Sequence, residues 1–484
     1  MTSKEPEDRP PPTLLEAFIP IASLILFVAL SYYFFGNGGA NGPSQVGMVL
    51  ATLIAVLMGW LKGYTLDELR EAAMASVGSG LGAIFILFAV GALIGTWAMS
   101  GTLVTMVFYG LKILSPGFFY ATAALIAAAI SYGIGSSWTL VGTIGIGLMG
   151  ISTAMDLNPA VTAGAVISGA YFGDTASPLS DSANLAAGVS DVNLYTHLRQ
   201  TSIISAIALA IALVFFTIAD GKGTFDRAYE MATLDRDFHV SLVLFLPLVV
   251  VMGLALWKIP PFTTIIVGAL VGGLMAVLVA PERVSTFADP AKSFPIWLAS
   301  IKGVWQALAD GYVSTTGDPM VDKLTTRGGM SSMLPTVWLI IAAFAFGGVV
   351  ERTGALNRLI APIINVAKSA GTLVTMLVAA VLATNIATAD QYLAVVLPGR
   401  MFKRAFEERS LSPVLLSRSV GAAATPTSAL VPWNSCGAYM AATLGVATFS
   451  YAPYAIFNFA SPLLVIAAAY LGTILQPRRA LPVP

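Results

Sequence analysis

Two carboxylates stand close together in the first half of the chain, beside a stretch that carries no charge. Asp174 and Asp181 lie in segment 173–184, which also holds hydroxyl side chains, an amide and a proline, and residues 157–173 contain no Asp, Glu, Lys or Arg. An acidic side chain at membrane depth is costly, so it persists mainly where it handles a cation, a proton or a polar substrate. The segment is therefore the first candidate for ion binding.

Oxygen-bearing side chains interrupt the apolar sequence in three more places, at residues 133–138, 385–390 and 425–434. Hard cations take oxygen ligands, so the four segments supply a candidate ion- or substrate-binding set: Ser136, Ser137, Asp174, Ser177, Asp181, Asn184, Asn385, Thr388, Asp390, Thr425, Thr427 and Asn434. Its three carboxylates, Asp174, Asp181 and Asp390, are the candidate metal ligands. A carboxylate that holds either a proton or Na⁺ is the simplest basis for exchange of the two ions.

The spacing of Asn385 and Asp390 indicates a turn rather than a continuous helix. Five residues advance about 500° around an α-helix, which would leave the two side chains roughly 140° apart and unable to share a ligand. At the tip of a hairpin they could converge. We therefore expect segments 133–138 and 385–390 to be hairpin tips, and segments 173–184 and 425–434 to interrupt spanning helices, so that all four meet near mid-membrane.

Each of these residues also has a structural interpretation. Asp174 and Asp181 would need no ligand in a solvated loop, and Asp390 would need none beside a Lys or Arg. Hydroxyls in membrane helices commonly bond back to the backbone or across to another helix without binding a substrate. The carboxylates are therefore the stronger candidates, and the Ser and Thr residues are the weaker ones.

The composition tells what kind of elements must position these residues. Of the 484 residues, 57% are hydrophobic and 10% are charged, and the mean hydropathy is +0.82, which is too apolar for a water-soluble domain. A spanning helix needs about 20 apolar residues, and charge-free runs such as 72–111 and 419–477 are long enough for two passes. The chain is thus expected to be an all-α polytopic membrane protein.

Several other classes of protein are disfavoured. The formal net charge is zero, so no basic face suggests a nucleic-acid partner. The one cysteine excludes an internal disulfide, and two histidines argue against a histidine zinc site. We find no zinc-protease, serine-hydrolase or nucleotide-binding motif, which argues against an enzyme and an organic cofactor. Residues 1–13 are polar and rich in proline, without the basic start of a cleaved signal peptide, and are expected to form a disordered cytoplasmic tail.

The chain divides into two halves of similar plan. Pro159 and Pro178 are repeated by Pro413 and Pro432 at a distance of 254 residues. The loop around Asp156 has no basic residue, whereas its counterpart has Arg400, Lys403, Arg404 and Arg409; around Arg199 the asymmetry reverses. Equivalent loops of opposite basicity lie on opposite sides of a membrane, which predicts an inverted-topology repeat.

The predicted organisation has about ten spans, two re-entrant hairpins and discontinuous helices at mid-membrane. Repeat 1 covers 14–219, with spans near 16–36, 45–61 and 76–99, a hairpin at 117–153, a broken span at 159–190 and a last span at 200–219. Residues 220–239 are an extracytoplasmic linker. Repeat 2 covers 240–476, with spans near 240–257, 262–280 and 335–350, a hairpin at 371–400, a broken span at 413–447 and a last span at 454–476. Residues 477–484 form a second cytoplasmic tail.

At these residues the chain resembles the NhaC family of Na⁺/H⁺ antiporters, within a broader group of ion transporters. The matching pieces are spread over most of the chain: Gly135-Ser136-Ser137-Trp138, the run 163–174 with Ser177-Pro178-Leu179-Ser180-Asp181 and Asn184, 327–332, Asp390-Gln391-Tyr392, 398–402 and Pro432-Trp433-Asn434-Ser435-Cys436-Gly437-Ala438-Tyr439. The run that ends at Asp174 is highly specific. The chain departs from the family at Thr175, where a Lys is common, and at Gly421-Ala422, where a Glu-Asp pair is common.

The resemblance implies a secondary antiporter in the cell membrane that exchanges Na⁺ for H⁺ by alternating access. Because the departures remove titratable groups, they weaken proton coupling more than Na⁺ use. The resemblance extends to exchange of malate for lactate, so the alternative is a Na⁺-coupled carrier or exchanger of a small organic anion or amino acid. The expected partners are Na⁺, H⁺ and the lipid bilayer, with an organic solute and a homodimer left open.

Overall fold

The computed structural model describes residues 9–40, 42–219, 227–238, 240–367 and 369–472. The helices of its first half are α1 (Leu14–Phe35), α2 (Pro43–Leu61), α3 (Leu66–Ser79), α4 (Leu81–Ser100), α5 (Thr102–Ile113), α6 (Phe119–Ile134), α7 (Ser137–Leu140), α8 (Ile146–Ala154), α9 (Pro159–Ala176), α10 (Asp181–Val189) and α11 (Leu194–Ile218). A π-helical turn, Val141–Gly145, joins α7 to α8.

The second half is also built from helices. Its helices are α12 (Arg227–Phe238), α13 (Leu246–Leu256), α14 (Pro261–Val279), α15 (Pro281–Ala288), α16 (Ile296–Asp310), α17 (Pro319–Thr325), α18 (Leu334–Arg352), α19 (Ala355–Val366), α20 (Ala370–Thr388), α21 (Gln391–Glu408), α22 (Pro413–Ser428), α23 (Ser435–Leu444), α24 (Thr448–Tyr451) and α25 (Ile456–Tyr470). Within the described ranges, extended pairing is limited to one isolated bridge between Tyr312 and Arg327.

The structure confirms an all-helical protein that passes the membrane several times. Among the described residues, nine helices are long and apolar enough to cross a membrane, and the number rises to eleven if each of two bent helix pairs counts as one span. Those pairs are Arg227–Phe238 with Leu242–Leu256, bent by 84°, and Thr448–Tyr454 with Ile456–Tyr470, bent by 56°.

Several helices lie where the sequence predicted none, because the prediction followed apolar runs. The charged helix α3 begins with a capping box between Thr65 and Glu68 and carries two acids in its first turn. The region 281–334, which lies between two predicted spans, forms α15, α16 and α17. Helix α12 lies inside the predicted linker. The predictions for residues 1–8, 220–226 and 473–484, and for His239, fall outside the described residues.

Helix starts recur at a constant spacing in the two halves. The starts of α7, α9, α10 and α11 precede those of α21, α22, α23 and α24 by 254 residues each: Ser137 and Gln391, Pro159 and Pro413, Asp181 and Ser435, Leu194 and Thr448. Left-handed residues recur at the same spacing, as Asp156 and Ser410, and as Asp191 and Gly445. The prolines that suggested a duplication thus belong to a longer shared pattern of helices and turns.

Contacts with α25 give the relative directions of α9 and α22. Just before α25, Tyr454 lies against Gly164 of α9, and in the first turn of α25 the Phe457 N–H donates to Ser168 Oγ, which is further along α9. On α22 the order is reversed, because Asn458 donates to the Pro426 carbonyl and Ser461 donates to the Ala422 carbonyl. The equivalent helices α9 and α22 therefore run in opposite directions.

The segment α6–α8 folds back on itself beside α9. Near the start of α6, the Asn158 N–H donates to the Tyr120 hydroxyl, and near its end Ser131 donates to the Ala170 carbonyl, so α6 and α9 run parallel. The chain then turns at Gly135 and returns through α7 and α8, where Ser152 and Thr162 are hydrogen-bonded. The turn lies at the level where α9 ends, and α10 continues beyond it.

Candidate ion-binding site

Four helix interruptions meet in the middle of the molecule, and each is built by local backbone chemistry. Helices α6 and α20 end at left-handed residues, Gly135 with φ 78° and Ala389 with φ 57°. A side chain at Gly135 would collide with the Leu179 carbonyl carbon at 2.6 Å, so only glycine fits that turn. Since α7, α10, α21 and α23 all start at this level, four helix N-termini converge on it.

Polar side chains cap these four N-termini. Ser136 accepts from the Thr139 N–H, Ser180 from the Ala183 N–H, Asp390 from the Tyr392 and Leu393 N–H groups, and Asn434 from the Cys436 N–H. A capped end satisfies N–H groups that would otherwise be left unpaired away from water. At each break, one short polar residue thus caps the helix that begins there.

A cavity of about 620 Å³ lies between the four interruptions. Both hairpin tips and both breaks contribute to its wall, through Ser136, Asp174, Asp181, Asn184, Asp390 and Ser435. Lys258, in the connection between α13 and α14, also borders it. Among the described residues, the three aspartates form no ion pair with any Lys, Arg or His. The cavity wall therefore has more acidic than basic side chains.

Asp174 is held mainly by hydroxyls, with one longer hydrogen bond from the Ser137 N–H to its Oδ2 at 3.4 Å. Its Oδ2 accepts from Ser137 Oγ at 2.6 Å, and its Oδ1 accepts from Ser180 Oγ at 2.8 Å and from Ser182 Oγ at 3.0 Å. The side chain is 8% exposed and opens onto the cavity. Two serines that follow the break and one from the first hairpin thus surround one carboxylate, which gives a small cation several oxygen ligands within reach.

Asp181, Asn184 and Asp390 face the same cavity in more open positions. Asp181 is the first residue of α10 and is exposed. Asn184 donates through its amide nitrogen to the Ser180 carbonyl at 2.8 Å, which leaves the amide oxygen available. Asp390 uses Oδ1 to cap α21, so its other oxygen remains for a ligand. These groups are suited to guide a cation toward Asp174.

Asn385, Thr427 and Asn434 form a buried clamp behind the second hairpin tip. Asn385 Nδ2 donates to Thr427 Oγ1 and to the Ala424 carbonyl, both at 3.0 Å, and Asn434 Nδ2 donates to Asn385 Oδ1 at 3.1 Å. The Ser435 N–H also donates to the Ala389 carbonyl at 2.9 Å. All three clamp side chains lie outside the cavity wall, so they hold the tip of α20 against the break between α22 and α23.

Three further predicted residues, Ser177, Thr388 and Thr425, also lie outside the cavity wall. Ser177 Oγ accepts from the Leu179 N–H within its own turn, and Thr388 Oγ1 donates back to the Thr384 carbonyl. Thr425 is buried, and its carbonyl accepts from Ser428 Oγ. Short-range bonding to the backbone occupies such residues in helices and turns. The sequence does not distinguish a hydroxyl that bonds to the backbone from one that faces a ligand.

The three carboxylates line one cavity but do not come together to bind one ion. In the ranges that the structure covers, no three His, Cys, Asp or Glu side chains come close enough to hold one metal ion. A cation at Asp174 would therefore take its other ligands from hydroxyl and carbonyl oxygens. Ser180 and Ser182 supply two of these and were not in the predicted set, although their positions beside Asp181 could have pointed to them.

Gln391, Cys436 and Ser428 were also absent from the predicted set. Ser428 Oγ and Cys436 Sγ both donate to Gln391 Oε1, each at 3.1 Å. The three residues lie 254 positions after Ser137, Ser182 and Asp174, in the order Gln391, Cys436 and Ser428. The same three positions are therefore bonded to one another in both halves. In the first half the central acceptor is an aspartate on the broken helix, and in the second it is an amide on the hairpin.

Comparison with known proteins identifies the kind of protein that this arrangement belongs to. A model described as the Na⁺/H⁺ antiporter family matches residues 169–473. The chain is 35% identical to the arginine/ornithine antiporter of Halobacterium salinarum, over 97% of this chain and 93% of the relative. It is 35% identical to the Na⁺/H⁺ antiporter NhaC of Alkalihalophilus pseudofirmus, over 88% and 90%. It is 32% identical to the malate-2H⁺/Na⁺-lactate antiporter of Bacillus subtilis, over 95% of each.

Proposed function

The chain belongs to the Na⁺/H⁺ antiporter family, and on that premise we propose that it exchanges Na⁺ for H⁺ across the cell membrane by alternating access. The family is one of transporters and not of enzymes. The observation that carries the proposal is Asp174, a carboxylate at the cavity wall that three serine hydroxyls contact and that forms no ion pair with any Lys, Arg or His of the described residues.

Asp174 would carry the two ions in turn. When its carboxylate is ionised, Ser137, Ser180 and Ser182 can donate to it, as they do in this structure. When Na⁺ enters, the same hydroxyls can rotate and present lone pairs to the ion, because a hydroxyl both donates and accepts. A proton on Asp174 removes the negative charge that Na⁺ needs. The two ions therefore exclude each other at one residue.

Alternating access is supported by the directions of the equivalent helices. Helices α9 and α22 run in opposite directions, and the helix starts around the cavity repeat at a spacing of 254 residues. Both features are what two inverted repeats would produce. Rocking of one repeat against the other around a fixed site would open the cavity first to one side of the membrane and then to the other.

The basic residues support an orientation with both termini in the cytoplasm. Helix α18 follows Arg327, which lies beside the end of α23, and it ends at Arg352. At that end, Arg9 and Arg352 both form ion pairs with Glu68. Arg352 thus lies on the side where α22 begins, together with Arg409, which donates to the Ala367 carbonyl. An excess of Lys and Arg marks the cytoplasmic side of membrane proteins.

A second candidate is exchange of a small organic solute together with Na⁺ or H⁺. The cavity of about 620 Å³ is far larger than one sodium ion, and Lys258 on its wall could receive a carboxylate while Asp181 and Asp390 receive an amine. Three acids against one lysine favour a cationic or zwitterionic solute over a dicarboxylate. Of the relatives named above, the arginine/ornithine antiporter is the one whose solutes have this charge.

Purified protein in proteoliposomes distinguishes the two candidates. With a preformed pH gradient and a pH-sensitive dye, addition of Na⁺ alone should collapse the gradient, and Li⁺ is the natural second ion to test. The Asp174→Asn protein, reconstituted to the same density, is the control and should give no response. If Na⁺ fails at every pH while counterflow of a labelled basic amino acid succeeds, the organic solute is the cargo.

A further inference from the structure

Tyr171 lies next to the hydrogen-bonded group that Gln391, Ser428 and Cys436 form in the second half of the chain. Tyr171 is fully buried, and its hydroxyl interacts with the side chains of Ser428 and Cys436 but forms no hydrogen bond of good geometry with any group in the described part of the chain. Burial of a hydroxyl without a well-formed hydrogen bond is unfavourable. Such a group calls for an explanation, and a ligand that the structure does not hold would supply one.

Several oxygen atoms belong to the hydrogen-bonded group next to that hydroxyl. Gln391 Oε1 and Ser428 Oγ lie within one bonded group, and the Thr425 carbonyl accepts from Ser428 at 2.7 Å. Gln391 and Cys436 belong to the wall of the cavity, so an ion can reach this group from the same space as Asp174. Helix α22 ends at Ser428, and a helix C-terminus carries partial negative charge that favours a cation.

The group of Gln391, Ser428 and Cys436 also has an equivalent in the first half of the chain. Its three hydrogen-bonded members lie 254 residues after the trio of Asp174, Ser137 and Ser182, on helices that run in the opposite direction. The first-half trio has a carboxylate and the second-half trio has none. If both positions bind cations, only the first can also bind a proton.

We propose that Tyr171, Gln391 and Ser428 form a second, uncharged cation subsite, which holds Na⁺ beside Asp174 without competition from protons. This rests on the proposed use of Na⁺ but is independent of whether H⁺ is the counter-ion. On binding, Ser428 and the Tyr171 hydroxyl turn lone pairs toward the ion, and Gln391 contributes its amide oxygen. The nearby carboxylates attract the ion into the cavity, and the neutral oxygens hold it.

Binding of radioactive Na⁺ to purified protein tests the subsite directly. We expect two ions per chain at pH 9, with one of the two sites weakening as the pH falls and the other unchanged between pH 6 and 9. Asp174→Asn should leave one site whose affinity is independent of pH. Tyr171→Phe and Ser428→Ala should each weaken that remaining site about tenfold and leave the pH-dependent site in place.

Ser419→Ala is the matched control, because Ser419 is also a buried serine of α22 but donates to the Leu415 carbonyl, away from the cavity. It should bind both ions as the parent protein does. One Na⁺ per chain that disappears in Asp174→Asn would overturn the subsite while leaving Na⁺ exchange intact. Unchanged binding in Tyr171→Phe would also overturn it. Absence of Na⁺ binding at every pH would instead overturn the proposed function together with the subsite.

Discussion

At the scale of single residues, Asp174 shows why a carboxylate survives inside an apolar protein. Three serine hydroxyls donate to it, and no cation is paired with it in the described chain. A fixed Lys or Arg partner would neutralise the site and compete with a transported ion. Hydroxyls stabilise the charge without that competition, because each can also coordinate a cation. The donor set therefore matches a site that must bind an ion and release it.

Loss of one of these hydroxyls should weaken Na⁺ binding without abolishing exchange. A hydrogen bond to a charged group is worth about 1.5–3 kcal/mol, so we expect Ser182→Ala to raise the half-saturating Na⁺ concentration at least tenfold in the proteoliposome assay. Ser461→Ala is the control, since Ser461 is equally buried but donates to the Ala422 carbonyl outside the cavity. Equal Na⁺ dependence in the two variants would show that Ser182 only supports the fold.

The carboxylates could be predicted from the sequence, whereas the partners of Asp174 could not. An acid within an apolar run carries its own signal, because its burial is costly. A serine carries none: Ser182 bonds to Asp174, but Ser177, five residues earlier, accepts from the backbone of its own turn. Gln391 was missed for the same reason, since its role depends on Ser428 and Cys436, which are distant in sequence from it.

At the scale of elements, the site depends on helices that stop at one level and pack closely enough to keep it. Helix α9 lies against α6 with Gly173 at the contact, where an added Cβ would meet the Ser131 backbone carbonyl carbon at 2.3 Å and the Ser131 side chain at 2.4 Å. Small residues let membrane helices approach this closely. Because Asp174 follows Gly173 directly, that contact fixes the position of the carboxylate relative to the hairpin tip.

Gly173→Ala should therefore destabilise the protein and impair transport. Overpacking of this kind costs about 1–3 kcal/mol, and we expect a lower melting temperature in detergent. Gly188→Ala in α10 is the matched control, because a Cβ there would meet nothing within 4 Å. A melting temperature for Gly173→Ala equal to that of Gly188→Ala would contradict the close contact between α6 and α9.

The clamp at the second tip predicts that two asparagine caps differ in importance. Asn193 caps α11 by accepting from the Tyr195 N–H on the exposed surface, whereas Asn434 caps α23 and also donates to Asn385. Loss of a cap alone costs about 1 kcal/mol. Asn434→Ala should cost more than Asn193→Ala, because it also leaves Asn385 Oδ1 without that donor in a buried position.

Thermal unfolding of the two variants in one detergent measures the difference. We expect only Asn434→Ala to lose transport as well, since the tip that carries Asp390 would no longer be fixed against the break. Equal melting temperatures and equal transport in both variants would show that the clamp has no role beyond capping.

At the scale of the whole molecule, the account requires equivalent turns of the two halves to face opposite sides of the membrane. Asp156 and Ser410 are such a pair, 254 residues apart, both exposed and both left-handed in backbone conformation. In a Cys436→Ser background, Asp156→Cys and Ser410→Cys should react with an impermeant maleimide from opposite sides of sealed vesicles. Reaction from the same side would contradict an inverted repeat.

In the sequence, the prediction of two inverted halves rests on other signals than the prediction of single helices. Spaced prolines and the reversal of loop charge indicated two related halves, because both features can persist when the rest of the two sequences has diverged. Helices α3, α12 and α19 were missed, since polar or short segments fold here by packing against spanning helices and not by burial in lipid. The first turn of α3, for example, carries a capping box and two acids, which in sequence resemble an ordinary surface loop.

The most direct test of the central claim is proton release on Na⁺ binding. Purified protein in weakly buffered detergent solution, at a pH where Na⁺ transport is half-maximal, should release protons when NaCl is added and none when choline chloride is added. The account predicts that Asp174→Asn abolishes this release, while Asp181→Asn, whose carboxylate has no hydroxyl ring, reduces it less. Proton release of parental size from Asp174→Asn would contradict the claim that one carboxylate carries both ions.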